Sequence, residues 1–268
     1  MPLKIQRKQY DRRGKSEKAI IQRYKYFFGR TDWDLSHVTA INPESKYIKV
    51  RELFRKAFIE GDPWDIKAIQ KHTVFYAGGA RVPLKGFHKF LEALALIKKK
   101  HPDVIVYVAG IMPNKRIPFL GAIGYGKYLN RIIKREGLSE NIVFTGPLSS
   151  EKMLEKFQHS HCFVLGSSIE NSSNTLVEAM LVGAPSVVAC VGGVENFAVH
   201  EVTSYIYRFE EVEMLAHYIG KIFADNTNAQ NLSVNARNRI RDVLEGNEND
   251  LMQAYERVID DFKKGDKK

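Results

Sequence analysis

Residues 161–190 of the chain are "HCFVLGSSIENSSNTLVEAMLVGAPSVVAC". The segment begins with one short apolar run, residues 161–166, and ends with another, residues 185–190. Continuous apolar runs of this length are typical of strands that are buried on both faces. Between them, residues 175–183 have the pattern of a short helix. The segment therefore predicts a strand–helix–strand unit, from which parallel sheets are built.

The same alternation continues on the N-terminal side of this unit. Further apolar runs alternate there with amphipathic segments that have helical spacing, and the segment of residues 149–160 opens with a serine cap. These runs and segments are residues 73–79, 86–102, 103–110, 141–146 and 149–160. Buried strands that alternate with amphipathic helices indicate a parallel sheet covered on both faces. We therefore predict an α/β fold, a Rossmann-like doubly wound parallel sheet, over residues 72–225.

The two ends of the chain do not continue this alternation. Residues 1–71 contain a basic helix candidate, the run "YKYFFGRTDWD", a strand candidate "KYIKV" and a charged stretch. This is too little alternating structure for an independent α/β domain, so we predict the tail of another domain plus a connector. We predict that residues 226–268 form C-terminal helices.

Composition bounds the class of protein. The chain has 268 residues and 44% hydrophobic residues, enough to bury a sizeable core. Cys162 and Cys190 both lie in apolar runs, so we expect buried free thiols in a reducing compartment. The sequence has no apolar run of 18 residues and begins without the apolar region of a signal peptide. These observations favour a cytoplasmic location.

The positive charge is concentrated at the N-terminus. The net charge is +10, and residues 1–30 hold ten lysines and arginines against two acidic residues, a local +8. A basic arm can meet nucleic acid or an anionic lipid surface, although an ordinary solvated helix explains the same charges. We see neither the pattern of an RNA-binding sheet nor zinc-finger spacing, so we expect no nucleic-acid partner. Peripheral association with the inner membrane surface remains an alternative.

Two loops are candidates for a ligand site, because ligands of open parallel sheets bind beyond the carboxyl ends of the strands. Residues 78–86, "GGARVPLKG", combine flexible glycines with the cations Arg81 and Lys85. Residues 166–174, "GSSIENSSN", lead into a helix N-terminus, which attracts anions. Together the loops predict a diphosphate site. The glycine patterns of NAD-binding and P-loop proteins are absent from the sequence.

Glu170 and Glu178 flank the polar run "NSSNTLV" with seven residues between them. The spacing alone carries no information, because the pairs Glu44/Glu52, Glu52/Glu60 and Glu248/Glu256 share it. Glu178 also has an ordinary explanation, since "TLVE" fits a capping box with Thr175 as the N-cap. The context of the first pair, a strand exit followed by a helix start, makes it a candidate site.

The segment "GSSIENSSNTLVEAMLVGAPSVVACVGGVEN" resembles the donor-site block of retaining glycosyltransferase family 4, which has the GT-B fold. The segments "FYAGGARVPLKGFHKFLEAL", "DVIVYVAG" and "NIVFTGPLSSEKMLEKFQHSHCFVLGSS" agree with it in order and spacing. The resemblance covers roughly residues 72–225. It implies transfer of a hexose-type sugar from a nucleotide-sugar, based on UDP or GDP, with retention of configuration. It implies neither a cofactor nor an essential metal.

The resemblance also implies a role for each residue that matches the family's pattern. Glu170 would lie by the donor sugar as the catalytic group, and Lys85, assisted by Arg81, would neutralise the diphosphate. Glu178 would hydrogen-bond the ribose hydroxyls. The backbone and side chains around the helix start would contact the sugar and diphosphate, and a further group would border the nucleobase. These two sets are Asn171, Asn174, Thr175 and Leu176, and Gly146, Leu148 and Met153.

Three departures from the family's pattern affect these expectations. Ala80 occupies the position where the family places an arginine, and Arg81 follows one residue later, so Arg81 either turns into the site or points elsewhere. Asn171 replaces a common glycine. The chain also has one Rossmann-like domain where GT-B enzymes have two, the N-terminal one binding the acceptor. We therefore expect a donor-binding half that is incomplete alone, acting on an acceptor that is a sugar, a lipid-linked molecule or another compound.

Two alternatives follow from the missing half. The chain is either the donor half of an enzyme or a non-catalytic nucleotide-sugar-binding module that needs a partner chain for the acceptor site. An exposed interdomain face could also drive self-association. The motif of His159, His161 and Cys162 suggests a metal site, but no second ligand group accompanies it in the sequence, so we expect no metal. The glycines Gly192 and Gly193 would line the acceptor side of the cleft or form a tight turn.

Overall fold

The structure is a computed structural model that describes residues 3–50, 54–113, 116–117, 121–122, 124–244 and 247–265. The chain divides into two compact units, Phe54–Val243 on one hand and Met1–Leu53 with Leu244–Lys268 on the other. The first of these units begins earlier and ends later than the predicted range 72–225. Residues 111–124, "IMPNKRIPFLGAIG", follow the apolar run 103–110 and read as a long loop in the sequence, and part of this stretch lies outside the described residues.

The larger unit contains a six-stranded parallel sheet, and helices alternate with most of its strands along the chain. Its strands are β3 (Gln70–Tyr76), β4 (Ile105–Val108), β7 (Ile142–Phe144), β8 (Ser160–Leu165), β9 (Ser186–Ala189) and β10 (Tyr205–Tyr207), with a separate hairpin of β5 (Arg116–Ile117) and β6 (Gly121–Ala122). Its helices are α3 (Lys56–Glu60), α4 (Phe87–Lys100), α5 (Gly124–Arg135), α6 (Ser150–His159), α7 (Asn174–Val182), α8 (Val212–Ala224) and α9 (Asn226–Leu244).

Burial explains why these segments form strands. All six residues of β8 and all four of β9 are buried, as expected for central strands covered on both faces. Helix α4 buries Phe87, Phe90, Leu91, Ala93, Leu94 and Ile97 along one face. Strand β3 begins three residues before the predicted run, because its first residues, Gln70, Lys71 and His72, are polar and the apolar pattern starts only after them.

The order of the strands decides where a ligand can bind. The six strands lie in the order β10-β9-β8-β3-β4-β7, and every adjacent pair is parallel. Counted along the chain within this sheet, this is the Rossmann order 3-2-1-4-5-6 read from β7. The direction in which successive strands are added to the sheet therefore reverses between β3 and β8. The predicted Rossmann-like fold is confirmed, and its switch point lies at the carboxyl ends of these two strands.

The smaller unit is a two-stranded parallel sheet with three helices. Its elements are α1 (Leu3–Arg23), β1 (Tyr26–Gly29), α2 (Asp32–Ile41), β2 (Lys46–Lys49) and α10 (Asn247–Gly265). Thr31 and Asp34 form a capping box at the start of α2. Asp261 of α10 accepts a hydrogen bond from Tyr26 at 3.0 Å and pairs with Lys46, which joins this helix to both strands.

The structure corrects one prediction about the cysteines. Cys162 is buried in β8, as predicted, but Cys190 is exposed because β9 ends at Ala189 and the chain leaves the sheet there. Both thiols are free. None of the helices in the described parts of the chain is long and apolar enough to span a membrane.

Candidate functional site

The two predicted ligand loops meet at the switch point. Nζ of Lys85, in the loop after β3, lies 2.5 Å from Oε1 of Glu170, in the loop after β8. The hydroxyl of Ser167 donates a second hydrogen bond, at 2.7 Å, to the same oxygen. The Glu170 side chain is 13% exposed and that of Lys85 is 38% exposed. The sheet thus places an ammonium group and a carboxylate together at the edge where ligands of this fold bind.

Gly86 allows the two loops to approach this closely. Its φ is 75°, in the left-handed region that favours glycine. A Cβ atom at this position would overlap the backbone carbonyl of Gly166. The amide of Ser168 also donates a hydrogen bond to the carbonyl of Leu84 at 2.8 Å. Backbone contacts therefore join the loops independently of the Lys85–Glu170 ion pair.

A third loop packs against the Glu170 loop. A Cβ atom at Gly192, whose φ is 54°, would overlap the carbonyl oxygen of Glu170. The amide of Gly193 donates to the carbonyl of Asn171 at 3.0 Å. The two glycines therefore serve close backbone packing beside the site.

The side chain of Tyr76 holds the Lys85 loop through a hydrogen bond to its backbone. Tyr76 ends β3, is fully buried, and donates its hydroxyl proton to the carbonyl oxygen of Lys85. Burial, with smaller contributions from Tyr207, Tyr125 and Glu170, holds the pKa of Tyr76 well above its usual value. The phenol consequently stays protonated and remains a donor throughout the neutral range.

The start of α7 corrects the predicted capping box. The N-cap is Ser173, whose hydroxyl accepts from the amide of Leu176 at 3.4 Å, and the helix begins at Asn174. The prediction of Thr175 as the cap was wrong, because the helix begins one residue before Thr175. Glu178 therefore lies in the second turn, where capping geometry is out of reach, and its side chain is only 5% exposed. Another interaction must explain this buried carboxylate.

That interaction comes from Arg55. Its Nε and Nη2 atoms lie 2.9 and 2.6 Å from Oε1 of Glu178. Its Nη1 donates to the hydroxyl of Ser150 at 2.9 Å, and its Nη2 lies 3.9 Å from the sulfur of Met153. Arg55 thus gathers Glu178 and Met153, two of the predicted nucleotide-binding residues, around one guanidinium group.

The sequence matches a protein family along most of the larger unit. Residues 60–239 match the family described as "Glycosyl transferases group 1", and this range is more than half of the chain. The chain belongs to this family.

The relatives of this chain are distant in sequence, and the solved structures that it resembles share its fold. The uncharacterized glycosyltransferase YqgM of Bacillus subtilis (strain 168) is 23% identical over 217 residues, 79% of this chain and 56% of YqgM. Sucrose-phosphate synthase from Thermosynechococcus elongatus has a TM-score of 0.73 at 18% identity, over 91% of this chain and 60% of its own. HepE from Anabaena, in complex with UDP and glucose, has a TM-score of 0.71 at 19% identity, over 89% and 65%.

These structural neighbours are GT-B glycosyltransferases, so the Rossmann-like unit of this chain has the fold of one half of such enzymes. The identities are too low for the structural likeness to assign more than the fold. The chain spans about half the length of the first curated relatives, 56% of YqgM and 44% of YtcC.

The remaining predicted site residues differ in their exposure and contacts. Gly146 has φ 73° and exchanges backbone hydrogen bonds with Gly110, at 2.7 and 3.1 Å. Leu148 and Thr175 are half-buried, Leu176 is buried, and Asn171 and Asn174 are exposed. Arg81 is exposed and makes no hydrogen bond or ion pair with another described residue, whereas Ala80 is buried. The structure therefore brings Lys85 but not Arg81 to Glu170.

Sequence reasoning missed Arg55, Ser167 and Tyr76. Arg55 lies in the charged stretch that we predicted to be a connector, and its partner Glu178 is 123 residues away along the chain. A signal was present, because Phe58 and Trp64 interrupt this charged stretch and both are buried. Aromatic residues in a connector indicate that it packs against the domain.

A histidine-rich group lies at the opposite ends of the strands. Among the described residues, ligand atoms of His72, His101 and Asp103 lie within 4.8 Å of one another, and Nδ1 of His72 is 2.7 Å from Asp103. His161 stacks on His72, and its buried Nε2 has no hydrogen-bond partner among the residues that the structure describes. Burial, together with His72, Lys71 and His101, lowers the pKa of His161 to about 4. His159 is exposed and lies outside this group.

Proposed function

We propose that this chain is the donor-binding half of a retaining glycosyltransferase of family 4. It would transfer a hexose-type sugar from a nucleotide-sugar to an acceptor. The observation that carries the proposal is the pairing of Lys85 with Glu170 at the switch point of the sheet. Family membership, together with UDP-bound structures of proteins with this fold such as HepE, supports a nucleotide-sugar as the donor.

Positive charge for the leaving diphosphate would come from two sources. The ammonium group of Lys85 is one, and the N-terminus of α7, with its positive partial charge, is the other. Both act without reorganisation when negative charge develops on the departing diphosphate. The proposal therefore includes no essential metal.

Glu170 would stabilise the donor sugar as its bond to the diphosphate breaks. A diphosphate would compete with Glu170 for Lys85, and the carboxylate would then face the positive character that develops on the sugar. The bond from the anomeric carbon to the diphosphate oxygen breaks, and a bond from the acceptor oxygen forms on the same face. The departing diphosphate takes the acceptor's proton, so the products are the glycoside and the nucleoside diphosphate.

Glu178 would bind the ribose hydroxyls, with Gly146, Leu148 and Met153 bordering the nucleobase. Asn171, Asn174 and Thr175 would present backbone and side-chain donors to the sugar and the diphosphate. The amide of Leu176, which was predicted to join them, already donates to the cap residue Ser173. Glu178 is buried and ionic in its contacts, as a group that accepts hydrogen bonds from a diol should be. Arg81 would contribute long-range charge only.

Nucleotide binding followed by transfer tests the proposal. Calorimetry should show that the protein binds UDP or GDP, and Glu178→Gln should weaken that binding about tenfold, as expected for hydrogen bonds to a charged group. Glu213→Gln is a control for the loss of one carboxylate charge, because Glu213 is exposed on another helix. The absence of binding to every nucleoside diphosphate would contradict the proposal.

A second candidate function is a nucleotide-sugar-binding module that needs a partner chain for the acceptor site. The favouring observation is that the chain matches only 56% of YqgM and 44% of YtcC. Incubation with UDP- and GDP-sugars and a panel of sugar and lipid-linked acceptors separates the two functions. Release of nucleoside diphosphate together with a new glycoside would establish transfer, and binding without turnover would favour the module.

A further inference from the structure

Arg55 is held where the ribose-binding part of the proposed donor site lies. Its guanidinium group contacts Glu178 in α7 and Ser150 and Met153 in α6. The carbon at its centre lies 4.7 Å from the centre of the Phe58 ring in α3. The guanidinium group is thus fixed by contacts to three helices.

The chain around Arg55 is anchored to the Rossmann-like unit. Arg55 itself precedes the first residue of α3. Phe58 of this helix is 1% exposed and packs edge-on against Phe157 at 6.0 Å. Trp64 donates its indole proton to the carbonyl of Ser160, and its amide donates to the carbonyl of Val182, both at 2.8 Å. These contacts fix the segment that follows Arg55, so packing of Phe58 and Trp64 places Arg55 beside Glu178.

The pairing has a clear electrostatic reason. Removing a carboxylate from water is costly unless a positive, hydrogen-bonded partner accompanies it. Arg55 supplies two N–H groups to one oxygen of Glu178, and its own side chain is 45% exposed. The arginine therefore holds a largely buried carboxylate in one orientation and supplies the positive, hydrogen-bonded partner that its burial requires.

We propose that Arg55 positions Glu178 to bind the ribose of the nucleotide, and that it thereby raises the affinity of the donor site for ribonucleotides. This inference rests on the proposed function. Arg55 acts through Glu178 and is therefore a positioning residue. An ionised carboxylate with a fixed orientation accepts hydrogen bonds from a diol more strongly than a mobile or protonated one.

If Arg55 hindered ribose binding instead of supporting it, its removal would change the nucleotide affinity in the opposite direction. If Arg55 competed with the ribose for Glu178, removing the arginine would free the carboxylate and tighten nucleotide binding. If Arg55 positions Glu178, its removal weakens binding, and the loss disappears when Glu178 or the ribose hydroxyls are absent. The direction of the change therefore separates the two roles.

The experiment is a double-mutant cycle on nucleotide affinity. Calorimetry with UDP and GDP compares the wild type with Arg55→Met, Glu178→Gln and the double variant, using the full chain. Arg55→Met should weaken binding about tenfold, and the double variant should bind no more weakly than Glu178→Gln alone. Arg55→Lys should recover part of the affinity. For the 2′-deoxy and 3′-deoxy nucleotides, Arg55→Met should cost less than about twofold, because part of the contact to Glu178 is missing.

Arg208→Met is the matched control. Arg208 donates to Oε1 of Glu210 through the same two atoms, Nε and Nη2, at 3.1 and 2.6 Å, but on the exposed surface. This variant should bind as the wild type does. Thermal unfolding without nucleotide verifies that each variant folds, and Arg55→Lys serves if Arg55→Met does not.

The outcomes test the positioning role of Arg55 and the proposed donor-binding function separately. Unchanged or tighter binding by Arg55→Met, or additive losses in the double variant, overturns the positioning role. If Glu178→Gln nevertheless weakens binding in the same experiment, the proposed function stands without the positioning role of Arg55. A wild-type protein that binds neither UDP nor GDP overturns the proposed function, and the role of Arg55 falls with it.

Discussion

Lys85 and Glu170 form an ion pair of 2.5 Å although 85 residues separate them in the sequence. The two residues follow β3 and β8, which are neighbours in the sheet but are separated along the chain by two other strands of the sheet. The reversal of the strand order between them creates the crevice in which Rossmann-like folds bind ligands. The first prediction concerns the cation of this pair.

Replacing Lys85 with methionine should weaken the binding of a nucleoside diphosphate about tenfold and leave nucleoside binding unchanged. The reason is that the ammonium group would contact the diphosphate and not the base or ribose. Calorimetry with UDP and uridine, or GDP and guanosine, measures the difference. Lys89→Met is the control, since Lys89 pairs with Glu92 at 3.0 Å on the next helix. Equal losses for diphosphate and nucleoside would contradict the assignment of Lys85.

Gly86→Ala should destabilise the protein by about 2 kcal/mol or more. The new Cβ would be strained at φ 75° and would overlap the Gly166 carbonyl. Denaturant unfolding measures the change. Gly220→Ala is the control: Gly220 lies within α8, and a Cβ there meets nothing within 4 Å. That substitution should stabilise the protein by about 0.5–1 kcal/mol. Equal effects of the two would show that the loops do not meet at Gly86.

Ser173→Ala should lower the free energy of unfolding by about 1 kcal/mol, the usual cost of losing an N-cap. Thr175→Ala should cost less, because Thr175 lies within the first turn of the helix and its hydroxyl is not the cap. Urea unfolding of the two variants compares them directly. A larger loss for Thr175→Ala would restore the capping box that the sequence suggested.

The stability of the protein should fall as the pH is lowered from about 6.5 towards 4. The folded state lowers the pKa of His161 to about 4, whereas the unfolded value is near 6.5. Between these values the unfolded chain binds the proton more tightly, so acid favours unfolding. By pH 5 this histidine should cost on the order of 2 kcal/mol.

Unfolding at pH 7 and pH 5 checks the acid prediction with two variants. His161→Gln should reduce the pH dependence, because it removes the histidine whose pKa the fold lowers to about 4. A smaller dependence should remain, because burial also lowers the pKa values of His88 and His101. His159→Gln should leave the pH dependence unchanged, since His159 is exposed at the end of α6. A pH dependence that His161→Gln leaves unchanged would assign the acid sensitivity to other groups.

The sequence by itself determined the class of fold and the two loops of the candidate site. Continuous apolar runs such as residues 161–166 identify strands buried on both faces, and this local signal needs no tertiary information. Chain order then placed Lys85 and Glu170 each after a strand. The pairing of these loops was predictable because parallel strands share one carboxyl edge.

Tertiary structure alone decided the partners of the buried side chains. Glu178 has the same sequence context whether it caps a helix or meets a cation, and the start of α7 at Asn174 settles the choice. Arg55 reaches Glu178 because Phe58 and Trp64 anchor a stretch whose charges suggested an exposed connector. Residues distant in sequence meet through packing, and packing depends on burial by the whole unit, which a local pattern does not contain.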